Sequence, residues 1–233
     1  EHGAIVLIDK DISWTSFDVV AKLRRIVGIK KIGHAGTLDP LATGLLIVCI
    51  GRKATRLIET YQNSDKSYVA TIKLGASTAS FDAETPESVF ADIPENVTIE
   101  SIKDVLNTFL GTTQQIPPMY SALKKNGVPL YIQARKGIQE EIKPRNIFIE
   151  FISLESFDGI YLTITVQCSK GTYIRSLASD IAGKLGTVGY LTSLRRIKSG
   201  SYSAENALTI KEFEQAFHIM QSEDFITLQS SAE

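Results

Sequence analysis

Among the acidic residues of the chain, Asp39 has the most constrained surroundings. It stands in Gly33-His34-Ala35-Gly36-Thr37-Leu38-Asp39-Pro40-Leu41-Ala42-Thr43-Gly44, where the glycines permit close backbone approach to a ligand and Pro40 pushes Asp39 toward an extended conformation. A loop of this kind can present one carboxylate rigidly, as a nucleophile or as a base. It lacks the Gly-Lys-Ser/Thr ending of a phosphate-binding loop and the GxGxxG spacing of a dinucleotide site, so nucleotide-triphosphate chemistry has no support in it. By residue type alone, the commoner use of a Gly-Asp-Pro loop is structural, a turn in which Asp39 caps its own backbone.

The elements that must position this loop can be read from periodicity. Ile5 to Ile8 reads as a short strand, followed by a helix whose face is Phe17, Val20, Leu23 and Val27, with Ser16 as its cap and Gly28 as its stop. The Gly-rich loop feeds a strand, Leu45 to Ile50, after which Ala54, Leu57, Ile58 and Tyr61 repeat at helical spacing. Tyr68 to Leu74 reads as a strand, and the polar, acidic stretch Ala76 to Pro94 as a long loop before a helix that carries Ile99, Ile102, Val105, Leu106, Phe109 and Leu110 and closes at Gly111. Pro117 to Gly137 is irregular, with a tight turn at Asn126-Gly127 and a short helix from Tyr131 to Lys136. Ile147 to Leu154 and Tyr161 to Cys168 form a hairpin across Phe157-Asp158-Gly159. A helix with Ile174, Leu177, Ala178, Ile181 and Leu185 ends at Gly186, and a capping box, Thr209 with Glu212, opens the last helix. Strands and helices mix without strict alternation, which predicts an α+β fold with a largely antiparallel sheet.

Composition narrows the function classes. With 233 residues, 43% hydrophobic and 22% charged, the chain has the balance of an ordinary globular protein. Its longest apolar run, Leu45 to Ile50, is far short of the roughly 20 residues that cross a bilayer, which predicts a cytoplasmic protein. Cys49 and Cys168 each lie in an apolar run and read as buried thiols. The histidines at 2, 34 and 218 are scattered, so no metal is expected. The net charge of -1 hides segregation: Lys22 to His34 holds five bases and no acid, whereas Asp82 to Asp104 holds seven acids against Lys103. A basic face for nucleic acid is compatible with that distribution, as is an ordinary solvated surface.

The Asp39 segment resembles the signature of the TruB branch of pseudouridine synthases, whose catalytic Asp lies in a Gly-His-x-Gly-x-Leu-Asp-Pro context. Further segments resemble that family in order: Lys66-Ser67-Tyr68, Ile116-Pro117-Pro118-Met119-Tyr120-Ser121-Ala122, Ser169-Lys170-Gly171-Thr172-Tyr173-Ile174-Arg175 and Leu194-Arg195-Arg196. The similarity runs from about Gly3 to Tyr202.

The resemblance implies the pseudouridine-synthase fold, with a central mixed sheet flanked by helices and loops. It also implies isomerisation of uridine to pseudouridine at position 55 in the T loop of tRNA, with no cofactor. That reaction breaks the C1′–N1 bond, turns the uracil and rejoins it through C5, so the enzyme must flip the base from its stack. In the family's pattern Asp39 is the catalytic carboxylate. Tyr68 stacks on the base and is placed to help move the C5 proton, and Arg175 pairs with the carboxylate. His34 contacts or replaces the flipped nucleotide, Tyr173 and Leu194 line the pocket, Lys66 belongs to the Tyr68 segment, and Arg56 stands where a base contacts RNA. Without the resemblance, the tyrosines and Leu194 read as core, His34 as a loop hydrogen-bonding residue and Arg175 as a surface residue at a helix start.

The expected organisation is a catalytic domain over 1–220, with an RNA-contacting insertion at about 115–145, and a short tail over 221–233 in place of a complete PUA domain. The expected partner is the T stem-loop of tRNA, bound by a monomer with no obligatory protein partner and no membrane. Two alternatives stay in view, a tRNA-folding helper in which catalysis is secondary or lost and a guide-RNA-dependent, dyskerin-like synthase. The short chain fits the second poorly.

Overall fold

The computed structural model describes residues 3–230 except 126 and 139, with the backbone alone for 221–230. In chain order the elements are β1 (Ala4–Lys10), α1 (Ser16–Val27), β2 (Ile32–Ala35), β3 (Ala42–Ile50), α2 (Gly51–Thr55), α3 (Ile58–Gln62), β4 (Lys66–Leu74), β5 (Ala76–Thr78) and β6 (Glu87–Phe90). They continue as α4 (Ile99–Asn107), β7 (Gly111–Gln115), β8 (Lys124–Lys125), β9 (Val128–Pro129), α5 (Leu130–Arg135), β10 (Arg145–Phe157), β11 (Tyr161–Cys168), α6 (Ile174–Lys184), β12 (Gly189–Ser199), β13 (Tyr202–Ser203) and α7 (Ile210–Ser230). The chain divides into two compact units, one formed by Glu1–Ser64 with Arg195–Glu233 and the other by Asp65–Leu194. The α+β class holds: the ladders within each unit are antiparallel, and isolated parallel bridges join Ile8 to Leu208 and Asp82 to Leu191.

In the first unit β3 lies between β1 and β2, with Lys10 opposite Gly44 and Ala35 opposite Ile47. Leu45 to Cys49 are fully buried, as expected of a strand covered on both faces. Alternate side chains serve separate cores. Leu46, Val48 and Ile50 pack with Val19, Val20 and Leu23 of α1 and Phe213 of α7, whereas Leu45 and Ile47 pack with Tyr61 and Tyr202. Two details of α1 differ from the periodic reading. Phe17 points outward, 64% exposed beneath the Arg24 guanidinium, and Val19 takes its place in the core. Thr15 rather than Ser16 caps the helix, in a box where Thr15 Oγ1 accepts from Asp18 N and Asp18 accepts from Thr15 N. At the other end of the unit the predicted box of Thr209 and Glu212 forms.

In the second unit β7, β10, β11 and β4 pair in that order, and the Asp158 carboxylate closes the β10–β11 turn by accepting from the amides of Ile160 and Tyr161. Ile102 and Leu106 of α4 and Leu177, Ala178 and Ile181 of α6 bury themselves against this sheet. The stretch expected to be one long loop, Ala76 to Pro94, contains the paired strands β5 and β6. The strand β12 was likewise not evident from alternation. Gly127 has the positive φ expected of the tight turn, while Asn126 lies outside the described residues.

Candidate active site

The Asp39 loop is a short connection between paired strands. His34, expected in a loop, sits on β2, and residues 36–41 carry Asp39 across to β3. Gly36 and Gly44 frame this connection at φ of +89° and +96°. A Cβ on Gly44 would lie 2.3 Å from the carbonyl oxygen of Arg196, so no side chain fits there. The Arg196 guanidinium is 1% exposed and donates from Nε to the Leu45 carbonyl at 2.7 Å and from Nη2 to the Gly36 carbonyl at 3.1 Å, closing both ends of the loop. Asp39 is half-buried, and its carbonyl accepts from Ala42 N at 3.0 Å.

Lys10, at the end of β1, is fully buried beneath this loop. Its ammonium donates to the carbonyls of Trp14 (2.6 Å), Asp11 (2.9 Å) and Pro40 (3.3 Å). Burial lowers the Lys10 pKa to about 8, the nearby Asp39 charge holding it up and the Arg196 charge pushing it further down. His34 is lowered too, chiefly by burial and then by Arg196, against a hydrogen bond with the backbone of Gly36. The imidazole therefore favours its neutral form, which suits a flat stacking surface. Its Nδ1 is buried without a hydrogen-bond partner. Arg56 is exposed just beyond α2, and its neighbours Arg52 and Lys53 are exposed as well.

The remaining site residues lie in the second unit. Lys66 and Tyr68 sit two apart on β4 and so share a face. Lys66 is opposite Cys168 in the β4–β11 ladder, so the topology sets the Tyr68 segment beside the start of the Ser169–Arg175 segment. Tyr173 stands at the amino end of α6, where the buried Gln115 side chain accepts from its amide at 2.8 Å and donates to its carbonyl at 3.0 Å. The Arg145 guanidinium lies 4.7 Å from the centre of the Tyr173 ring. Two residues on, Arg175 is 4% exposed rather than on the surface. It donates to the carbonyls of Ser80 (3.1 Å) and Tyr120 (2.9 Å) and pairs with the Asp82 carboxylate at 3.4 Å. Asp82 is itself buried, accepting from Ser80 Oγ at 2.6 Å and Glu84 N at 2.9 Å. Leu194 is buried on β12.

Thus His34, Asp39 and Arg56 are placed within one unit and Lys66, Tyr68, Tyr173, Arg175 and Leu194 within the other. Asp82 escaped the sequence reading as an acid among seven in an acidic stretch, and Gln115 and Arg145 entered it only as the ends of the expected RNA-contacting segment at about 115–145, because a Gln in a polar strand and a base in a mixed run have an unremarkable local context. Among the described residues no cluster of His, Cys, Asp and Glu could hold a metal ion, and no helix is long and apolar enough to cross a membrane.

Comparison with known proteins bears on this arrangement. Residues 24–174 match the TruB family pseudouridylate synthase N-terminal domain, and residues 175–230 match the tRNA pseudouridylate synthase B C-terminal domain. The chain is 49% identical over 212 residues to tRNA pseudouridine synthase B of Desulfotalea psychrophila, covering 89% of this chain and 86% of that protein. With the same-named protein of Phocaeicola vulgatus it shares 43% identity over 233 residues, 97% of this chain and 98% of the other. Among solved structures it resembles a chain of a Cbf5-Nop10-Gar1 complex with a TM-score of 0.73 and 28% identity, covering 94% of this chain but only 56% of that one.

Proposed function

Because this chain belongs to the TruB family of pseudouridylate synthases, we propose that its substrate is the uridine at position 55 in the T loop of tRNA and that Asp39 is its catalytic carboxylate. The chain is an isomerase that converts uridine to pseudouridine in tRNA, the class of the relatives it matches over most of its length. The observation that carries the finer reading is the Asp39 loop, whose ends are closed by a buried guanidinium and whose backbone is tied on both sides of the carboxylate. Such restraint costs conformational freedom that a merely connecting turn has no need to give up.

In the reaction the C1′–N1 bond is exchanged for a C1′–C5 bond, the C5 proton leaves and N1 gains one. An ionised Asp39 supplies either the nucleophile that holds the sugar or ring while the base turns, or the base that removes a ribose proton. Tyr68 offers a ring for stacking and a hydroxyl for the proton at C5. Arg175 contributes its charge, and Tyr173, Leu194 and Lys66 are the further substrate-binding residues of this reading. His34 presents its neutral ring to the RNA and Arg56 a phosphate contact. The segment over 115–145, which holds β8, β9 and α5, contacts the stem. The enzyme works in the cytoplasm as a monomer and needs no protein partner.

The test is tritium release from tRNA labelled at uracil C5, run beside filter binding of the same tRNA. Asp39→Asn should bind as the wild type does and lose turnover by more than about a thousandfold. Turnover within about tenfold of wild type would remove Asp39 from the chemistry. The structural likeness to Cbf5, a protein found with Nop10 and Gar1, makes a partner-dependent synthase the second choice. Turnover of a bare T stem-loop by this chain alone would exclude it.

A further inference from the structure

We propose that Ser16 is a positioning residue for Asp39, its hydroxyl setting the peptide unit that precedes the carboxylate. The inference rests on the reading of Asp39 as catalytic. Ser16 is the first residue of α1, where a serine is ordinarily assigned to capping, but Thr15 with Asp18 already satisfies the helix end. The Ser16 side chain is thereby released from the helix and turned inward, 2% exposed. Its Oγ accepts from Leu38 N at 2.9 Å and donates to Leu38 O at 3.2 Å, using its proton and a lone pair on the two backbone groups of one residue. Leu38 is buried, lies outside β2 and β3 and immediately precedes Asp39. A buried amide and carbonyl with no ladder partner must find another, and the hydroxyl is that partner.

The other side of Asp39 is tied from the same β1–α1 connection. The Pro40 carbonyl accepts from Ser13 N at 2.8 Å and from Lys10 Nζ at 3.3 Å. Residues 10–16 therefore grip the backbone just before and just after the carboxylate. Since displacement of a reacting group by about 1 Å can cost a hundredfold in rate, loss of the Ser16 hydroxyl should appear in the chemical step rather than in RNA binding.

The experiment measures single-turnover tritium release and tRNA affinity for Ser16→Ala, Ser16→Cys and the isosteric pair Ser16→Thr and Ser16→Val, below the melting temperature of each, with Asp39→Asn as reference. The expected result is a turnover loss of about ten- to a hundredfold in Ser16→Ala and Ser16→Val with affinity within about twofold, and a smaller loss in Ser16→Thr than in Ser16→Val because it keeps the hydroxyl. Ser16→Cys adds almost no volume and should show the loss even if the Ala variant does not fold. Equal turnover in the Thr and Val variants, or wild-type turnover in the Ala or Cys variant, overturns the proposal. Inactive Asp39→Asn with unimpaired Ser16 variants overturns the positioning role alone, whereas active Asp39→Asn overturns the catalytic reading on which it rests.

Discussion

Two buried guanidinium groups, Arg196 in one unit and Arg175 in the other, are held in contrasting ways. Arg196 donates to the carbonyls of Gly36 and Leu45, so its charge is met by backbone dipoles. Arg175 also donates to carbonyls, but it has the Asp82 carboxylate beside it, and that carboxylate is fixed by Ser80 and Glu84. The difference is electrostatic. Burial is the main cause of the lowered His34 and Lys10 values and the Arg196 charge adds to it at both, whereas Asp82 offsets the charge of Arg175 within its own unit. A backbone-held cation can shape a loop and tune its neighbours, while a carboxylate-held cation is fixed in place by its ion pair.

The largest effect on this comparison should come from removing the carboxylate. Asp82→Ala breaks a buried ion pair and takes an acceptor from Ser80 Oγ and Glu84 N, and should cost about 3–5 kcal/mol of stability, read from the denaturant midpoint, together with most turnover. A change below about 1 kcal/mol would mean that Arg175 is held without help from the Asp82 carboxylate. Next comes Arg196→Met, which leaves the Gly36 and Leu45 carbonyls unpaired and should cost about 2–4 kcal/mol. In this variant the His34 titration, followed by NMR of the imidazole, should move up because one of its two depressing influences is gone. An unmoved titration would show that burial alone sets it.

The smallest effect concerns Lys10. Its folded pKa is about 8 against 10.5 for the ordinary side chain, so between those values the unfolded chain binds a proton that the folded chain has released. Stability contributed by this position is therefore constant below pH 8 and rises with pH above it. Wild type should gain on Lys10→Met in melting experiments between pH 8 and about 10. A flat difference across that range would mean that the buried ammonium keeps its proton.

Much of the framework was legible beforehand. The hairpin of β10 and β11 follows from Phe157-Asp158-Gly159 between apolar runs, and α6 and α7 follow from their spacing and cap. The paired strands within Ala76 to Pro94 were not legible, because polar short strands alternate too weakly to be told from loop. Phe17 misled because periodicity tells which residues share a face but not how wide the buried stripe is.

For the site, Asp39, Tyr68 and Arg175 were singled out by the resemblance of their segments to the family's, since such a signature is local in the chain; by residue type alone they read as a turn cap, a core tyrosine and a surface arginine. What holds them was another matter. Lys10 counts only as one of 25 bases in the sequence and Arg196 only as the end of the Leu194-Arg195-Arg196 segment, with no role attached, yet the fold buries both completely or nearly so against the Asp39 loop. Arg196 reaches carbonyls 151 and 160 residues away, and Ser16 meets Leu38 across 22. Strand register decides such meetings: one residue of slip turns every side chain to the opposite face, and no composition or local spacing records that choice.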